Sequence, residues 1–289
     1  HAMFADDTTL LASSRRSLIL MIKEIKEALE EHGLRLNADK CVVQTNKIRA
    51  KMKPLVIDEN SKIPMVSGSL GFKVLGTMFT LHGRTAREID ARIAAAWGKF
   101  HHLYPLLAHA RSDIGKRLRL FDMCVGQTLL WCNESWNCTS AEKRRLSTTQ
   151  NYMLRRVAGL KRAPTESYVD WIKRSTRKAR DAAKTAGVRI WVREHYARKW
   201  AWAGHVARME PDRLAHRATI WRDAEWWQAE VANLPRSLRL HRHGRQRWFR
   251  WEDDLQRYAT ASGWENWKVM AVDRDIWKSH CTAFCDFRI

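Results

Sequence analysis

The sequence predicts an α+β fold, with a small antiparallel sheet and one packed helix in residues 1–81 and a mostly α-helical remainder. Short strand-like runs separated by turn residues fill the first third of the chain. After Gly83 the apolar residues recur every three or four positions, which is the period of an amphipathic helix. A chain of 289 residues with 45% hydrophobic residues can bury a core of this kind.

Strands and turns are expected to surround a single helix in the first third. Residues 17–32 carry apolar side chains at spacings of four, three and four, which predicts an amphipathic helix that ends at Gly33. An N-cap for this helix is expected at Ser13 or Ser14. The strand-like runs lie at residues 3–12, near 42–43, in a short hairpin over 54–66, and in a strand over 71–81 that Gly76 interrupts.

The remaining two thirds of the chain is expected to be helical. Three apolar stripes in residues 84–158 predict a three-helix bundle in which Trp97, Phe121 and Leu129 are buried. The glycine and proline of the stretch "GLKRAPTES" predict a boundary, after which shorter helices follow. The expected domains are residues 1–81, 82–160 and 161–289.

Positive charge is concentrated after the first third. The formal net charge is +21, and residues before 82 carry 12 Lys and Arg against 9 Asp and Glu, whereas later residues carry 40 against 22. Such an excess attracts polyanions because binding releases counterions, so it favours a nucleic-acid partner. Twelve of the fifteen tryptophans lie at or after Trp171, interleaved with Arg and Lys in "RKWAWAGHVAR" and "RQRWFRWEDDL". These indoles either stack on bases or fill a helical core.

Apolar runs and cysteines bear on where the protein is found. The longest apolar runs are far shorter than 18 residues, which argues against a transmembrane helix. The six cysteines show no regular framework, which favours a reducing, intracellular compartment. No zinc site is predicted, because His280, Cys281 and Cys285 supply at most three ligands and His241 and His243 are distant in sequence.

Two adjacent carboxylates, Asp6 and Asp7, are the first candidate for catalytic chemistry. Two ionised carboxylates this close repel each other unless a cation joins them. Mg²⁺ binds one or two carboxylates together with substrate phosphates, and pairs of such ions promote phosphoryl and nucleotidyl transfer. A hairpin tip that carries both aspartates therefore predicts a metal site for polymerisation. The alternatives are a solvated turn and a nuclease site that also uses Glu24.

Seven stretches, taken in order along the chain, resemble the reverse transcriptases of LINE-type, non-LTR retrotransposons. "FADD", which contains Asp6 and Asp7, resembles the catalytic box, and "HGLRLNADKCVV" resembles the next block, with its Gly-Leu-x-Leu-Asn-x-x-Lys pattern. "FKVLGTMF" resembles the Leu-Gly block of the primer grip. "QTLLWCNESW" resembles a thumb-helix block that usually reads Leu-Leu-Tyr-Gly-x-Glu-x-Trp, with Trp131-Cys132 in place of Tyr-Gly. "WAWAGHVARM", "RWFRWEDDL" and "DRDIWKS" resemble C-terminal sequences of the same elements.

The resemblance implies a role for each of these positions. Asp6 and Asp7 would be two of the three aspartates of a two-Mg²⁺ site, and the third would lie on an upstream strand that this chain lacks. Lys40 would approach the leaving pyrophosphate; the alternative is an exposed turn residue. Leu75 and Gly76 would form the primer grip; for Gly76 the alternative is a bulge in an edge strand.

The family also implies partners and a function. The expected function is a fragment of an RNA-directed DNA polymerase that is inactive as an isolated chain. It would consist of a palm remnant with the catalytic hairpin (1–81), a thumb (82–160) and a basic, Trp-rich C-terminal region (161–289). Its partners would be an RNA template, a DNA primer or target and the upstream part of the same polyprotein, with no membrane, in the cytoplasm and nucleus. The alternative is a non-catalytic RNA- and DNA-binding helical module with a decayed palm remnant.

Overall fold

The computed structural model describes residues 2–4, 7–45, 53–59, 61–67, 70–80, 85–220 and 250–288. Within these ranges all strands precede residue 80 and helices dominate the rest, so the predicted α+β class is confirmed. The chain divides into two compact units, His1–Ala91 and Arg92–Ile289. The further boundary that the sequence predicts near residue 160 stays a prediction.

Four two-stranded ladders contain the strands of the described residues. Three pairs are antiparallel, whereas β3 and β6 run in parallel. The arrangement therefore differs from the single antiparallel sheet that the sequence predicts. The connection from β3 to β6 contains the β4–β5 hairpin and is long enough for the chain to return in the same direction. The strands are β1 (Ala2–Phe4), β2 (Asp7–Thr9), β3 (Val43–Thr45), β4 (Leu55–Val56), β5 (Lys62–Ile63), β6 (Met65–Ser67), β7 (Phe72–Val74) and β8 (Thr77–Phe79).

One helix and the β4–β5 hairpin build the core of the first unit. Helix α1 (Arg15–Glu31) begins where the Ser14 hydroxyl accepts a hydrogen bond from the Ser17 amide at 3.0 Å, as the sequence predicts. It buries Ile22 against apolar residues of the hairpin region. The fully buried cluster has four members: Ile22, Leu55, Ile57 and Ile63. The partly buried side chains packed against it are Leu10, Leu18, Ile19, Leu36, Ala38, Cys41 and Val43.

Helices make up the described part of the second unit, and α2 crosses the boundary between the units. Numbered over the described residues, they are α2 (Ala86–Leu107), α3 (Ile114–Phe121), α4 (Gln127–Leu129), α5 (Ser140–Ala158), α6 (Tyr168–Thr185), α7 (Trp191–Ala207), α8 (Leu214–Ile220), α9 (Asp253–Ala261), α10 (Trp267–Val272), α11 (Arg274–Ser279) and α12 (Cys281–Arg288). None of the described helices combines the length and the apolar character that a membrane span needs. All six cysteines lie in the described ranges and are unbridged.

Two of the three side chains that the sequence places in the bundle core are there. Phe121 and Leu129 are fully buried. Trp97 is only half-buried, so that prediction is wrong. Its ring stacks on the exposed His101 at 5.4 Å and meets the edge of Tyr152 at 5.5 Å, which places it at the rim of the bundle.

Two tryptophans join α7 to α11 in the centre of the second unit. The rings of Trp200 and Trp277 are parallel within 4° with centroids 3.5 Å apart. Each indole N–H donates to the main-chain oxygen of the other residue, at 2.7 Å and 2.9 Å. A Cβ on Gly204 would lie 2.3 Å from the indole nitrogen of Trp277, so only glycine fits at that position. The apolar rings are thereby buried with both of their polar groups satisfied.

Candidate active site and nucleic-acid surface

The stretch "FADD", the candidate catalytic box, lies at the first hairpin of the chain. Strands β1 and β2 are antiparallel and their register pairs Phe4 with Asp7, so the box connects the two strands. Asp7 begins β2 and its side chain is exposed. Asp6 lies outside the described residues. The structure thus presents one of the two carboxylates to solvent at the end of a strand.

The donor set can be compared with what Mg²⁺ requires. Carboxylate oxygens are ligands that this ion prefers, so Asp6 and Asp7 have suitable chemistry. In the described part of the chain no three His, Cys, Asp or Glu side chains lie together in a group that could hold a metal ion. Glu24, the further ligand of the nuclease alternative, is exposed on α1. The adjacent aspartates therefore supply at most two of the carboxylates of a two-metal site.

Lys40 ends a short 3₁₀ turn, Ala38–Lys40, and its side chain is exposed. The Asn37 side chain accepts a hydrogen bond from the Lys40 amide at 3.3 Å, which fixes the turn. Cys41 next to it packs against the core, and burial raises the pKa of its thiol. The backbone at Lys40 is therefore held while its ammonium group stays in water.

The residue that follows β2 and the turn of Lys40 pack against the same small core. Leu10 lies three residues after Asp7, and Ala38 and Cys41 flank the position of Lys40 in the turn. These three apolar side chains pack against the cluster around Ile22. This core therefore packs against both the C-terminal end of β2 and the turn of Lys40. No contact between Asp7 and Lys40 themselves is present in the described structure.

Leu75 and Gly76 form the turn of the β7–β8 hairpin, not an interruption or a bulge in one strand. Val74 pairs with Thr77, so the two residues are the whole connection between β7 and β8. Their φ angles are 48° and 78°, both in the left-handed region that a tight two-residue turn of this kind requires. Glycine adopts this region freely, whereas the exposed Leu75 does so at a cost of about 1–2 kcal/mol. Among the described strands no ladder joins this hairpin to β1–β2.

Cys132 stands where the resembled thumb block has glycine, and its φ is 51°. The left-handed region disfavours residues with a Cβ, so glycine is the residue that this backbone favours. The departure from the family pattern therefore leaves a strained position in a turn of the expected kind. The preceding Trp131 is 53% exposed.

The motif "RKWAWAGHVAR" lies in and directly after α7 and contributes five buried residues to the core, which favours the structural interpretation of Lys199 and Trp200. Lys199 is fully buried and its ammonium lies 2.9 Å from the carboxylate of Asp254, which is 1% exposed. Burial lowers the pKa of Lys199, and the Asp254 charge opposes that shift. Trp200 is buried in the indole stack, whereas Trp202 is 38% exposed. Only a minority of the motif faces solvent.

His195, also on α7, is fully buried and neutral. Its Nδ1 lies 2.8 Å from the Asn133 carbonyl oxygen, so Nδ1–H is the donor. Burial, followed by the nearby Lys199 charge, lowers the pKa of His195 to about 3. The group is therefore part of the packed core and does not titrate at neutral pH.

The other C-terminal motifs are also structural where they are described. The Trp251 indole donates to the Glu134 carbonyl oxygen at 2.6 Å, and residues 245–249 of "RQRWFRWEDDL" lie outside the described ranges. His280 accepts or donates a 2.8 Å hydrogen bond with the Tyr258 hydroxyl. Cys285 is buried. His241 and His243 lie outside the described residues.

A row of cations on α6 is a feature that the sequence analysis missed. Lys173, Arg177, Arg180 and Lys184 are all exposed and occupy one side of the helix. The spacing of four, three and four residues between them was the available signal, since it is the period of a helix face. This basic stripe lies outside the Trp-rich motifs in which nucleic-acid contacts were expected.

Comparison with known proteins finds two relatives, both named for transposable elements. A Caenorhabditis elegans protein described as transposon-derived is 26% identical over 280 residues, which cover 95% of this chain and 92% of that protein. The retrovirus-related Pol polyprotein of the type-2 retrotransposable element R2DM of Drosophila melanogaster is 36% identical over 89 residues. That alignment covers 29% of this chain and only 8% of the polyprotein. No family model matches the chain. No solved structure matches it either.

Proposed function

We propose that this chain is part of an RNA-directed DNA polymerase of a non-LTR retrotransposon, carrying one hairpin of the catalytic site and a basic helical region that binds RNA and DNA. The observation that carries the proposal is the hairpin register, in which Phe4 pairs with Asp7, so that Asp7 begins the second of two antiparallel strands directly after the tip of the hairpin. The two transposon-derived relatives and the order of the resembling blocks support it.

In this proposal Asp6 and Asp7 would hold Mg²⁺ together with a third aspartate from another strand of the polymerase palm. The ions, when bound, would activate the primer 3′-hydroxyl and neutralise charge on the triphosphate. Lys40 would screen or protonate the leaving pyrophosphate, which suits an exposed ammonium on a fixed turn. The tight turn at Leu75–Gly76 would approach the primer strand with its backbone.

The second candidate is a non-catalytic nucleic-acid-binding module with a decayed palm remnant. It is favoured by the incomplete donor set, because the described residues contain no group of three metal-ligating side chains. Both candidates use the basic surface of the second unit. They differ in whether the aspartate pair contributes to synthesis in a longer polypeptide.

The test is primer extension on an RNA template with Mg²⁺, measured together with filter binding. The isolated chain should give only background incorporation, because it has at most two of the carboxylates that two metal ions need. In a longer polymerase that carries this segment, Asp6→Asn should remove most of the extension rate and leave binding unchanged. Lys40→Ala should cost less, because the ions already stabilise the developing charge.

The matched control is Asp39→Asn, which removes an exposed carboxylate next to Lys40 in the same unit. It should change neither extension nor binding. If the Asp6→Asn variant extends primers at the normal rate, Asp6 and Asp7 form a solvated turn without a catalytic role. That result would favour the non-catalytic nucleic-acid-binding module. Loss of binding together with extension would make the pair structural. Templated synthesis by the isolated chain would overturn the proposed incompleteness of the site.

A further inference from the structure

Helix α6 separates small buried residues from long exposed cations. Its sequence carries six Lys and Arg against two Asp. Ser175, Ala179 and Ala183 are its buried residues, and their small side chains let the helix pack closely on the rest of the unit. The basic stripe lies on another side of the helix, so packing directs these charges outward.

A shallow depression lies along three of the four cations of the stripe, Lys173, Arg177 and Arg180. Because the four cations are spaced over eleven residues, the stripe is about 16 Å long. A strand of duplex nucleic acid presents one phosphate per about 3.4 Å of axis, so this length corresponds to about five phosphates. The depression has a volume of about 420 Å³, and its lining residues are Ile172, Lys173, Thr176, Arg177, Arg180 and Asp181.

In the described structure the cations of the stripe are not paired with carboxylates. Arg174, elsewhere on α6, is neutralised by Glu166, whose two carboxylate oxygens it contacts at 2.7 Å and 2.8 Å. By contrast, in the described part of the chain neither Lys173 nor Arg177 pairs with a carboxylate. Arg180 donates to a neutral partner, the Asn151 amide oxygen, at 2.9 Å. The stripe therefore holds uncompensated positive charge in a concave surface.

Helix α5 contributes one more cation at the edge of the stripe. The Arg155 guanidinium donates to the Thr176 hydroxyl at 2.9 Å, and Thr176 lines the depression. The Arg155–Thr176 bond and the Arg180–Asn151 bond both cross between α5 and α6, so hydrogen bonds to two uncharged acceptors orient two guanidinium groups. Preoriented guanidinium groups lose less conformational entropy when they bind phosphate oxygens.

We infer that the basic stripe of α6 binds the phosphodiester backbone of a nucleic-acid duplex without reading its sequence. The stripe supplies charges at phosphate contacts, which position a duplex but carry no base information. Proteins that hold single strands add aromatic rings on which bases stack, and no aromatic residue lines this depression. The inference rests on the proposed nucleic-acid function and gives it a specific surface.

The test is binding of the full chain to a labelled 20-base-pair duplex between 50 and 200 mM salt, without metal or nucleotide. The double variant Lys173→Ala/Arg177→Ala should lower the salt slope of binding by about two and the affinity at 100 mM salt about tenfold or more. The matched control is Arg274→Ala/Lys278→Ala, which removes one exposed Arg and one exposed Lys from α11. The control should lose much less affinity, and tryptophan fluorescence should show that both variants fold.

A substitution that should raise the affinity for the duplex, instead of lowering it, sharpens the test. Asp181 is exposed and is the one carboxylate among the residues that line the depression. Asp181→Asn should strengthen duplex binding about twofold to threefold, because it removes a charge that repels phosphate. A merely structural role of α6 predicts no gain from this substitution.

Several results would overturn the inference. Equal losses of affinity in the two double variants would show that only overall charge matters. Unchanged affinity in both variants would show that the stripe does not bind the duplex. Equal or tighter binding of a single strand of the same length would contradict the choice of duplex. Equal competition by polyglutamate would indicate a general polyanion site. Because no metal or nucleotide is present, the outcome is independent of whether Asp6→Asn affects primer extension.

Discussion

The two units of this chain bury their apolar residues to very different extents. Among the described residues of the first unit, one buried cluster has four members, and the described strands form separate two-stranded ladders. Among its exposed apolar side chains Leu11 is 79% and Leu34 is 57% accessible. The second unit buries several whole aromatic rings, and even its central lysine, Lys199, has a buried partner.

The candidate catalytic residues therefore lie in the first unit, whereas most of the buried aromatic packing lies in the second unit. Two-stranded ladders are marginal by themselves, so the candidate catalytic residues lie in the part of the chain with the weaker core. The second unit is stabilised by aromatic packing and keeps its charge on exposed helix faces such as α6. All fifteen tryptophans lie after residue 91, because Trp97 is the first. Tryptophan fluorescence therefore reports on the second unit alone, which allows the two units to be measured separately.

The largest expected effect is in the second unit. Trp200→Ala should lower the free energy of unfolding by about 5 kcal/mol, because it leaves a large cavity and removes the hydrogen bond from the Trp200 indole to the Trp277 carbonyl oxygen. The measurement is urea denaturation followed by tryptophan fluorescence. Trp202→Ala on the same helix is the control, since that ring is 38% exposed, and it should cost less than about 1 kcal/mol. Similar losses in both variants would contradict the central role of the stack.

A pH dependence of the second unit should follow from His195. Its pKa is about 3 in the folded chain against 6.5 as the ordinary value, so the unfolded chain binds the extra proton between these values. Stability is therefore complete above pH 6.5 and falls as the pH drops toward 3, by on the order of 4 kcal/mol if this group acts alone. Urea midpoints measured from pH 7.5 to pH 4 would show the slope. His195→Gln should flatten it, whereas replacement of the exposed His102 by Gln should not.

Shortening a buried side chain in the first unit should destabilise that unit without changing the stability of the second unit. Ile63→Ala removes a side chain that is 2% exposed and should destabilise the first unit by about 2–4 kcal/mol. Amide exchange in α1 should then become faster, while the urea transition of tryptophan fluorescence stays where it was. A shift of that transition would mean that the two units unfold together. Val56→Ala, at a position that is 49% exposed in the same hairpin, serves as the control.

The smallest expected effect tests the strained turn at Cys132. Cys132→Gly should stabilise the second unit by about 0.5–1 kcal/mol, because glycine adopts a φ of 51° without the Cβ penalty. Cys132→Ala keeps a Cβ and should give no gain, which separates backbone strain from loss of the thiol. The measurement is again the urea midpoint. A gain in both variants would point to the thiol and not to the backbone.

Local patterns in the sequence predicted a considerable part of this description. The four-three-four spacing of apolar residues predicted α1, and Ser14 predicted its beginning. Apolar stripes predicted the burial of Phe121 and Leu129. Trp97 fits the same stripe but lies at the rim, because a periodic pattern gives the face of a helix and not how far a neighbouring helix covers it. The roles of Asp6, Asp7 and Lys40 stay predictions.

The sequence by itself determined the α+β class, the order of the motifs and the excess of positive charge, because these depend on local spacing and composition. Only the tertiary structure decided which cations are exposed. Lys199 and Arg177 are both basic residues on helices, yet Lys199 is buried against Asp254, 55 residues away in sequence, whereas Arg177 faces solvent. Likewise Trp200 became core because Trp277 and Gly204 allow a ring to stack there. Burial of charged and aromatic groups depends on partners that are distant in sequence, and no local pattern contains them.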